Sequence, residues 1–124
     1  IILFGITPDA SHPKVAKTAL GAETYVPWKK IENKKELFSH LGNKNCTLIS
    51  IEQTSKSKPF TSVIKNIQDN ENLAIIMGNE ITGVDPEILE ETDKIAMLPM
   101  LGKKQSLNVA TTTGIILYSI RYYD

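Results

Sequence analysis

Several classes of protein are excluded by what this sequence has little of. Its one cysteine, Cys46, cannot form an internal disulfide, and no His/Cys/Asp/Glu cluster has the spacing of metal ligands, so neither a disulfide scaffold nor a metal site is expected. No secretory signal opens the chain, which makes a reducing cytoplasm the expected compartment. The longest apolar runs, Leu73–Met77 and Gly114–Tyr118, fall far short of the ~20 residues that cross a bilayer. Neither sign of charge is in excess: 14 Lys+Arg stand against 14 Asp+Glu, at a pI of about 6.9, which rules out a global basic field. Arginine is almost missing, with Arg121 alone near the C-terminus. Phosphate loops are missing too, since neither G-x-G-x-x-G nor G-x-x-x-x-G-K-[ST] occurs.

What is there fits one compact domain over residues 1–124, with 41% hydrophobic content and a sizeable core. Charge divides unevenly along it. Residues 1–65 carry 10 Lys against 5 acidic residues, and 66–124 carry 4 basic against 9 acidic, or +5 and −5. The chain opens directly on Ile1-Ile2-Leu3-Phe4 without an initiating Met, and reads as a chain whose preceding strand and helix are missing.

Short β-branched runs alternate with helical patterns, which predicts an α/β fold with a mostly parallel sheet flanked by helices. Strands are expected at Ile1–Phe4, Thr24–Val26, Thr47–Ile51, Leu73–Met77 and Ile95–Leu98. Helices are expected at Lys14–Leu20, closed by Gly21, at Lys34–Leu41, stopped by Gly42, from Pro59 through Ile67, after Asp85, and from about Ser106 to Tyr122. The wholly apolar run Leu73–Met77 reads as the middle strand, buried on both faces.

Two segments could carry chemistry. Gly78-Asn79-Glu80-Ile81-Thr82-Gly83 follows that strand directly, at the carboxyl edge where open α/β sheets bind ligands. Alone it reads as an ordinary β-to-α turn carrying a solvated glutamate. Pro99-Met100-Leu101-Gly102 forms a second irregular turn, after which Ser106 is placed to cap the last helix and Asn108 sits uncomfortably in its first turn.

Together the segments are far more specific. Gly78-Asn79-Glu80-x-x-Gly83, followed by Leu98-Pro99-Met100-x-Gly102-x-x-x-Ser106-Leu107-Asn108-Val109-Ala110, closely resembles the two C-terminal motifs of the SPOUT-class RNA 2′-O-ribose methyltransferases, the SpoU/TrmH family. Lys17–Ala22 and Ile51-Glu52-Gln53-Thr54 resemble family segments more loosely. The resemblance implies a C-terminal deep trefoil knot, a rare exception to unknotted topology. It implies S-adenosylmethionine as cofactor, tRNA or rRNA as partner, no metal, and a homodimer joined through the last helix, to which Tyr118, Tyr122 and Tyr123 would contribute.

Carried over by position, Gly78, Leu98 and Leu107 would offer main-chain groups to the adenosyl moiety. Asn79, Gly83, Met100 and the turn Glu52–Thr54, with Ile95–Met100 more generally, would line its pocket. Glu80 and Asn108 would shape the site and orient substrate, and Ser106 would help hold the ribose or the loop. The arginine of the family's N-terminal N-x-G-x-x-x-R motif has no counterpart, so a catalytically incomplete cofactor- or RNA-binding module is the alternative. Among the lysines that could meet RNA (Lys14, Lys17, Lys29, Lys30, Lys34, Lys35, Lys56, Lys58), the pair Lys103-Lys104 lies nearest the motifs.

Overall fold

The computed structural model describes residues 1–68 and 71–122. The chain forms two compact units, Ile1–Lys44 and Asn45–Asp124. In the first, strand β1 (Ile2–Phe4) pairs in parallel with β2 (Lys29–Ile31), and between them lie helices α1 (Pro13–Ala19) and α2 (Ala22–Tyr25). Helix α3 (Lys34–Gly42) follows, capped by the Asn33 side chain, which accepts the Glu36 N–H at 2.9 Å. Ala10, Ile31, Leu37 and Leu41 are buried.

Thr24–Val26 is not a strand. Glu23 accepts the Gly21 N–H at 3.0 Å and the Thr24 hydroxyl donates to the Gly21 carbonyl at 2.7 Å, so local side-chain bonds favour a helical turn over β-propensity. The strand falls at Lys29–Ile31 instead, where the Lys29-Lys30 pair conceals it from a hydrophobic pattern. Leu20, with φ 52°, itself takes the left-handed conformation that ends α1, and Gly21 follows at φ 96°. Gly42 lies inside α3 rather than beyond it.

The second unit holds strands β3 (Cys46–Ile51), β4 (Lys58–Pro59), β5 (Asn72–Met77) and β6 (Lys94–Met97), all parallel, in the order β4-β6-β3-β5. Helices α4 (Phe60–Ile64), α5 (Pro86–Glu90) and α6 (Val109–Tyr122) connect or follow them. The last strand thus enters between two earlier ones. Ile49, Phe60, Val63, Ala96 and Ile116 form the core, with half-buried Ile51, Leu73 and Leu98 against it. Ser50 is fully buried; Thr92 donates to the Ile88 carbonyl at 2.8 Å and so accepts the Ser50 hydroxyl at 2.7 Å, which leaves neither group unpaired.

Three further expectations are corrected. Strand β5 lies at the edge of this sheet, its apolar side chains only half buried, because an apolar run reports covered faces and not the number of neighbouring strands. Helix α4 stops at Ile64, with Pro59 as its N-cap rather than its first helical residue. Helix α6 starts at Val109, and the residue that caps it is Asn108, not Ser106: the Asn108 side-chain oxygen accepts the Ala110 and Thr111 N–H groups at 2.9 and 3.4 Å.

Glu71 leads into β5 and accepts hydrogen bonds from the Thr47 hydroxyl on β3 and from the Gln68 N–H. The Thr47 bond, helped by that N–H and by the positive charge of Lys94, holds the Glu71 carboxyl below the usual carboxylate range. A carboxyl depressed on folding stabilises the folded state above its unfolded pKa, and that stability is lost as pH falls through the folded value. Thr47→Val is therefore expected to lower the unfolding midpoint at neutral pH and to differ progressively less from the parent below about pH 4. Melting curves from pH 7 down to pH 3 check this, and a constant difference throughout would count against the bond.

Candidate functional site

The carboxyl ends of β3, β5 and β6 open on a cavity of about 800 Å³, in the size range of small-molecule sites. Its walls are the turn after β3, the loop after β5, the segment after β6 and the start of α6. The sequence places candidate residues in four separate stretches, and the fold brings all of them to this one cavity: Glu52 and Thr54; Gly78, Asn79, Glu80 and Gly83; Leu98 and Met100; Ser106, Leu107 and Asn108. Of the broader stretch Ile95–Met100, Ile95 instead borders a separate cleft with Lys56, Lys58 and Lys94.

The loop after β5 is rigidly closed. Asn79 and Gly83 exchange main-chain hydrogen bonds at 3.0 and 2.9 Å, and the Asn79 side-chain oxygen accepts the Ile81 and Thr82 N–H groups at 2.8 and 3.3 Å. Both glycines are required. A Cβ on Gly78 would lie 2.4 Å from the Gly83 carbonyl carbon and 2.5 Å from the Val84 nitrogen, so strand end and loop end meet with no room between them. Gly83 has φ +70°, and a Cβ there would lie 2.2 Å from Glu52 Oε2.

Two carboxylates line the cavity in different states. Glu52 Oε2 accepts the Val84 N–H at 2.9 Å and Oε1 accepts the Gln53 N–H at 2.9 Å. Glu80, exposed on the closed loop, makes no hydrogen bond or ion pair among the described residues. The cavity's cation is Lys104, also unpaired among the described residues, while its neighbour Lys103 is not part of the lining. In the first unit Lys30 is already spent, bridging to Glu32 and donating to the Gly5 and Thr7 carbonyls, and Lys29 pairs with Glu36.

The segment after β6 is the least self-sufficient part of the wall. Among the described residues, the main chain of Pro99–Leu107 makes no hydrogen bond, so a run of donors and acceptors faces the cavity or solvent unpaired. Apolar Leu98, Met97 and Ile51 stand beside it. Asn108 commits its side-chain oxygen to α6, and its amide nitrogen has no hydrogen-bond partner among the described residues. Thr112, buried one turn on, donates to the Asn108 carbonyl at 3.1 Å and also lines the site. Sequence reasoning passed over Thr112 and Val84. The available signal for Thr112 was its i+4 spacing from Asn108.

Among the described residues no group of three or more His, Cys, Asp or Glu could hold a metal ion, and no helix is long and apolar enough to cross a membrane.

A parallel α/β sheet with a cavity of mixed polar and apolar lining at its carboxyl edge has the architecture in which open α/β folds place ligand sites. The chain belongs to the SpoU rRNA Methylase family, whose signature matches residues 1–118. It is similar to the tRNA (guanosine(18)-2′-O)-methyltransferase of Aquifex aeolicus, 33% identical over 98 residues, which are 79% of this chain and 44% of that protein. It also resembles the 23S rRNA (guanosine(2553)-2′-O)-methyltransferase RlmP of Bacillus subtilis, 29% identical over 98% of this chain and 46% of that one. The chain thus spans about half the length of these relatives. Among solved structures, the A. aeolicus TrmH/SpoU tRNA modifying enzyme superposes with a TM-score of 0.77 at 28% identity, over 98% of this chain and 60% of that one. An AdoMet-bound rRNA methyltransferase from Sinorhizobium meliloti shares the fold, with a TM-score of 0.85 at 24% identity, over 98% and 44%.

Proposed function

We propose that the protein is an S-adenosylmethionine-dependent RNA methyltransferase that acts on a ribose 2′-hydroxyl of tRNA or rRNA. The observation that carries the reading is the convergence of the two motif segments on one cavity whose wall includes Met100 and Lys104–Leu107, where the main chain makes no hydrogen bond among the described residues. That wall suits an adenosine: main-chain N–H and C=O groups can read the polar edge of adenine while Leu98, Met97 and Ile51 cover its faces. Gly78, Leu98 and Leu107 would hold the adenosyl part, with Asn79, Gly83, Met100 and the turn Glu52–Thr54 around it.

When bound, the cofactor supplies a methyl group on a sulfonium, open to in-line attack by an oxygen nucleophile. The chain's own contribution is placement. The amide nitrogen of Asn108 and the unpaired carboxylate of Glu80 can orient the ribose, and Ser106 and Lys104 can hold its flanking groups. Glu80, which makes no hydrogen bond or ion pair among the described residues, would accept the hydroxyl proton. The knot belongs to this proposal; its support is the entry of β6 between β3 and β4, together with family membership. So does a homodimer through α6, whose Leu117, Tyr118 and Tyr122 are more than half exposed, with the two tyrosine rings 4.7 Å apart. Tyr123 lies outside the described residues. A cytoplasmic location goes with RNA as substrate.

A second reading has its own support: Arg121, the sole arginine, is not among the cavity residues, which favours a module that binds without turnover. Calorimetric titration with S-adenosylmethionine and S-adenosylhomocysteine, followed by transfer of labelled methyl to bulk tRNA and rRNA, separates the two. Binding with label that renders one phosphodiester resistant to alkali supports the enzyme, since only a blocked 2′-oxygen prevents that cleavage. Binding without transfer supports the module, and absence of binding defeats the enzyme and leaves only a module that binds RNA.

A further inference from the structure

We infer that Glu52 is a positioning residue, which holds the loop Gly78–Val84 in the form that gives the cavity its shape. The inference deepens the proposed cofactor site and rests on that reading for its ligand. Glu52 stands at the end of β3, and every hydrogen-bonding group it has is in use. Its N–H donates to the Ala96 carbonyl on β6 at 3.0 Å, and its carbonyl accepts the Ser57 hydroxyl at 2.7 Å, which closes the turn over Thr54. Its two carboxylate oxygens accept the Val84 and Gln53 N–H groups, both at 2.9 Å. One residue therefore ties together β6, the turn after β3 and the loop after β5, three of the walls of the cavity.

Gly83 completes the arrangement. Glu52 Oε2 occupies the space a side chain at position 83 would need, 2.2 Å from an ideal Cβ, so the glycine makes the seat for the carboxylate as well as the turn. The Val84 N–H, beside a 5% exposed side chain, has that carboxylate as its acceptor, and a donor left without one in such a place is costly. A carboxylate committed in this way serves a ligand through the loop it fixes, in contrast to the unpaired Glu80.

The test compares Glu52→Ala, Glu52→Gln, Gly83→Ala and the double variant Glu52→Ala/Gly83→Ala. Readouts are amide exchange at Gly83 and Val84 without ligand, S-adenosylmethionine affinity by calorimetry, and the unfolding midpoint. Glu52→Ala is expected to speed Val84 exchange and raise Kd about tenfold. Glu52→Gln keeps an oxygen for Val84 and stays within about threefold of the parent. Gly83→Ala evicts the carboxylate and reproduces the loss. The double variant falls below Glu52→Ala only by the backbone strain of an alanine at φ +70°, because the two changes otherwise remove one shared interaction.

Glu52→Gln as weak as Glu52→Ala while its Val84 exchange stays parent-like would mean that the charge meets the ligand directly and would overturn the positioning role. Unchanged affinity or unchanged Val84 exchange in Glu52→Ala would overturn it as well. If the parent protein fails to bind S-adenosylmethionine the functional reading fails, while exchange at Val84 still decides whether Glu52 holds the loop.

Discussion

Gly78→Ala is expected to lower S-adenosylmethionine affinity by on the order of 100-fold or more, although it adds a single methyl group. An ideal Cβ at position 78 would meet the Gly83 carbonyl carbon at 2.4 Å, the Val84 nitrogen at 2.5 Å and the Gly83 Cα at 2.8 Å. These are main-chain atoms, and the main chain there is pinned from two sides. The Asn79–Gly83 bridge closes the loop on itself, and Glu52 holds Val84 from β3. No side chain can swing away to make room, so the loop must shift as a body into or away from the cavity. Forcing a methyl into a packed site costs roughly 1–3 kcal/mol of stability, which a domain can survive while its ligand site does not. Calorimetry paired with the unfolding midpoint checks this. Parent-like affinity in a folded Gly78→Ala protein would place the ligand somewhere other than this cavity.

Why this glycine could be singled out from sequence, while much around it could not, follows from what each signal reports. A glycine pair bracketing Asn-Glu at the end of an apolar strand marks a backbone that must turn sharply, and the fold shows why at both positions: a close approach at Gly78 and a positive φ at Gly83. Apolar runs located β3, β5 and β6 well, because burial imposes composition residue by residue. Strand order was not legible. The edge position of β5 and the entry of β6 between β3 and β4 depend on pairings between distant segments, which leave no local mark. Short elements went wrong where side chains bond to nearby main chain, as with Glu23 and Thr24 in α2, since one or two hydrogen bonds outweigh propensity over four residues. The part of the site supplied by Thr112 and Val84 was equally hidden, because neither residue type suggests chemistry; packing alone brings them to the cavity.

Asn108 combines a structural and a proposed catalytic duty in one amide group, and substitution can split them. Its oxygen caps α6 by accepting the Ala110 and Thr111 N–H groups, so Asn108→Ala is expected to cost about 1 kcal/mol of stability as well as any activity. Asn108→Asp retains an oxygen for the cap and adds negative charge at a helix N-terminus, where it is favoured, so its unfolding midpoint should match or exceed the parent's. What aspartate lacks is the N–H donor that asparagine turns toward the ribose in the proposed reaction. Removing a donor from a reacting site typically lowers turnover by on the order of 100-fold. Asn108→Asp is therefore expected to be stable, to bind S-adenosylmethionine nearly as the parent does, and to transfer methyl groups about 100 times more slowly. Asn108→Ala should be slow and unstable together. Full turnover by Asn108→Asp would show that this residue serves the reaction only by starting the helix, and would leave Glu80, Ser106 and Lys104 as the side chains that meet the substrate.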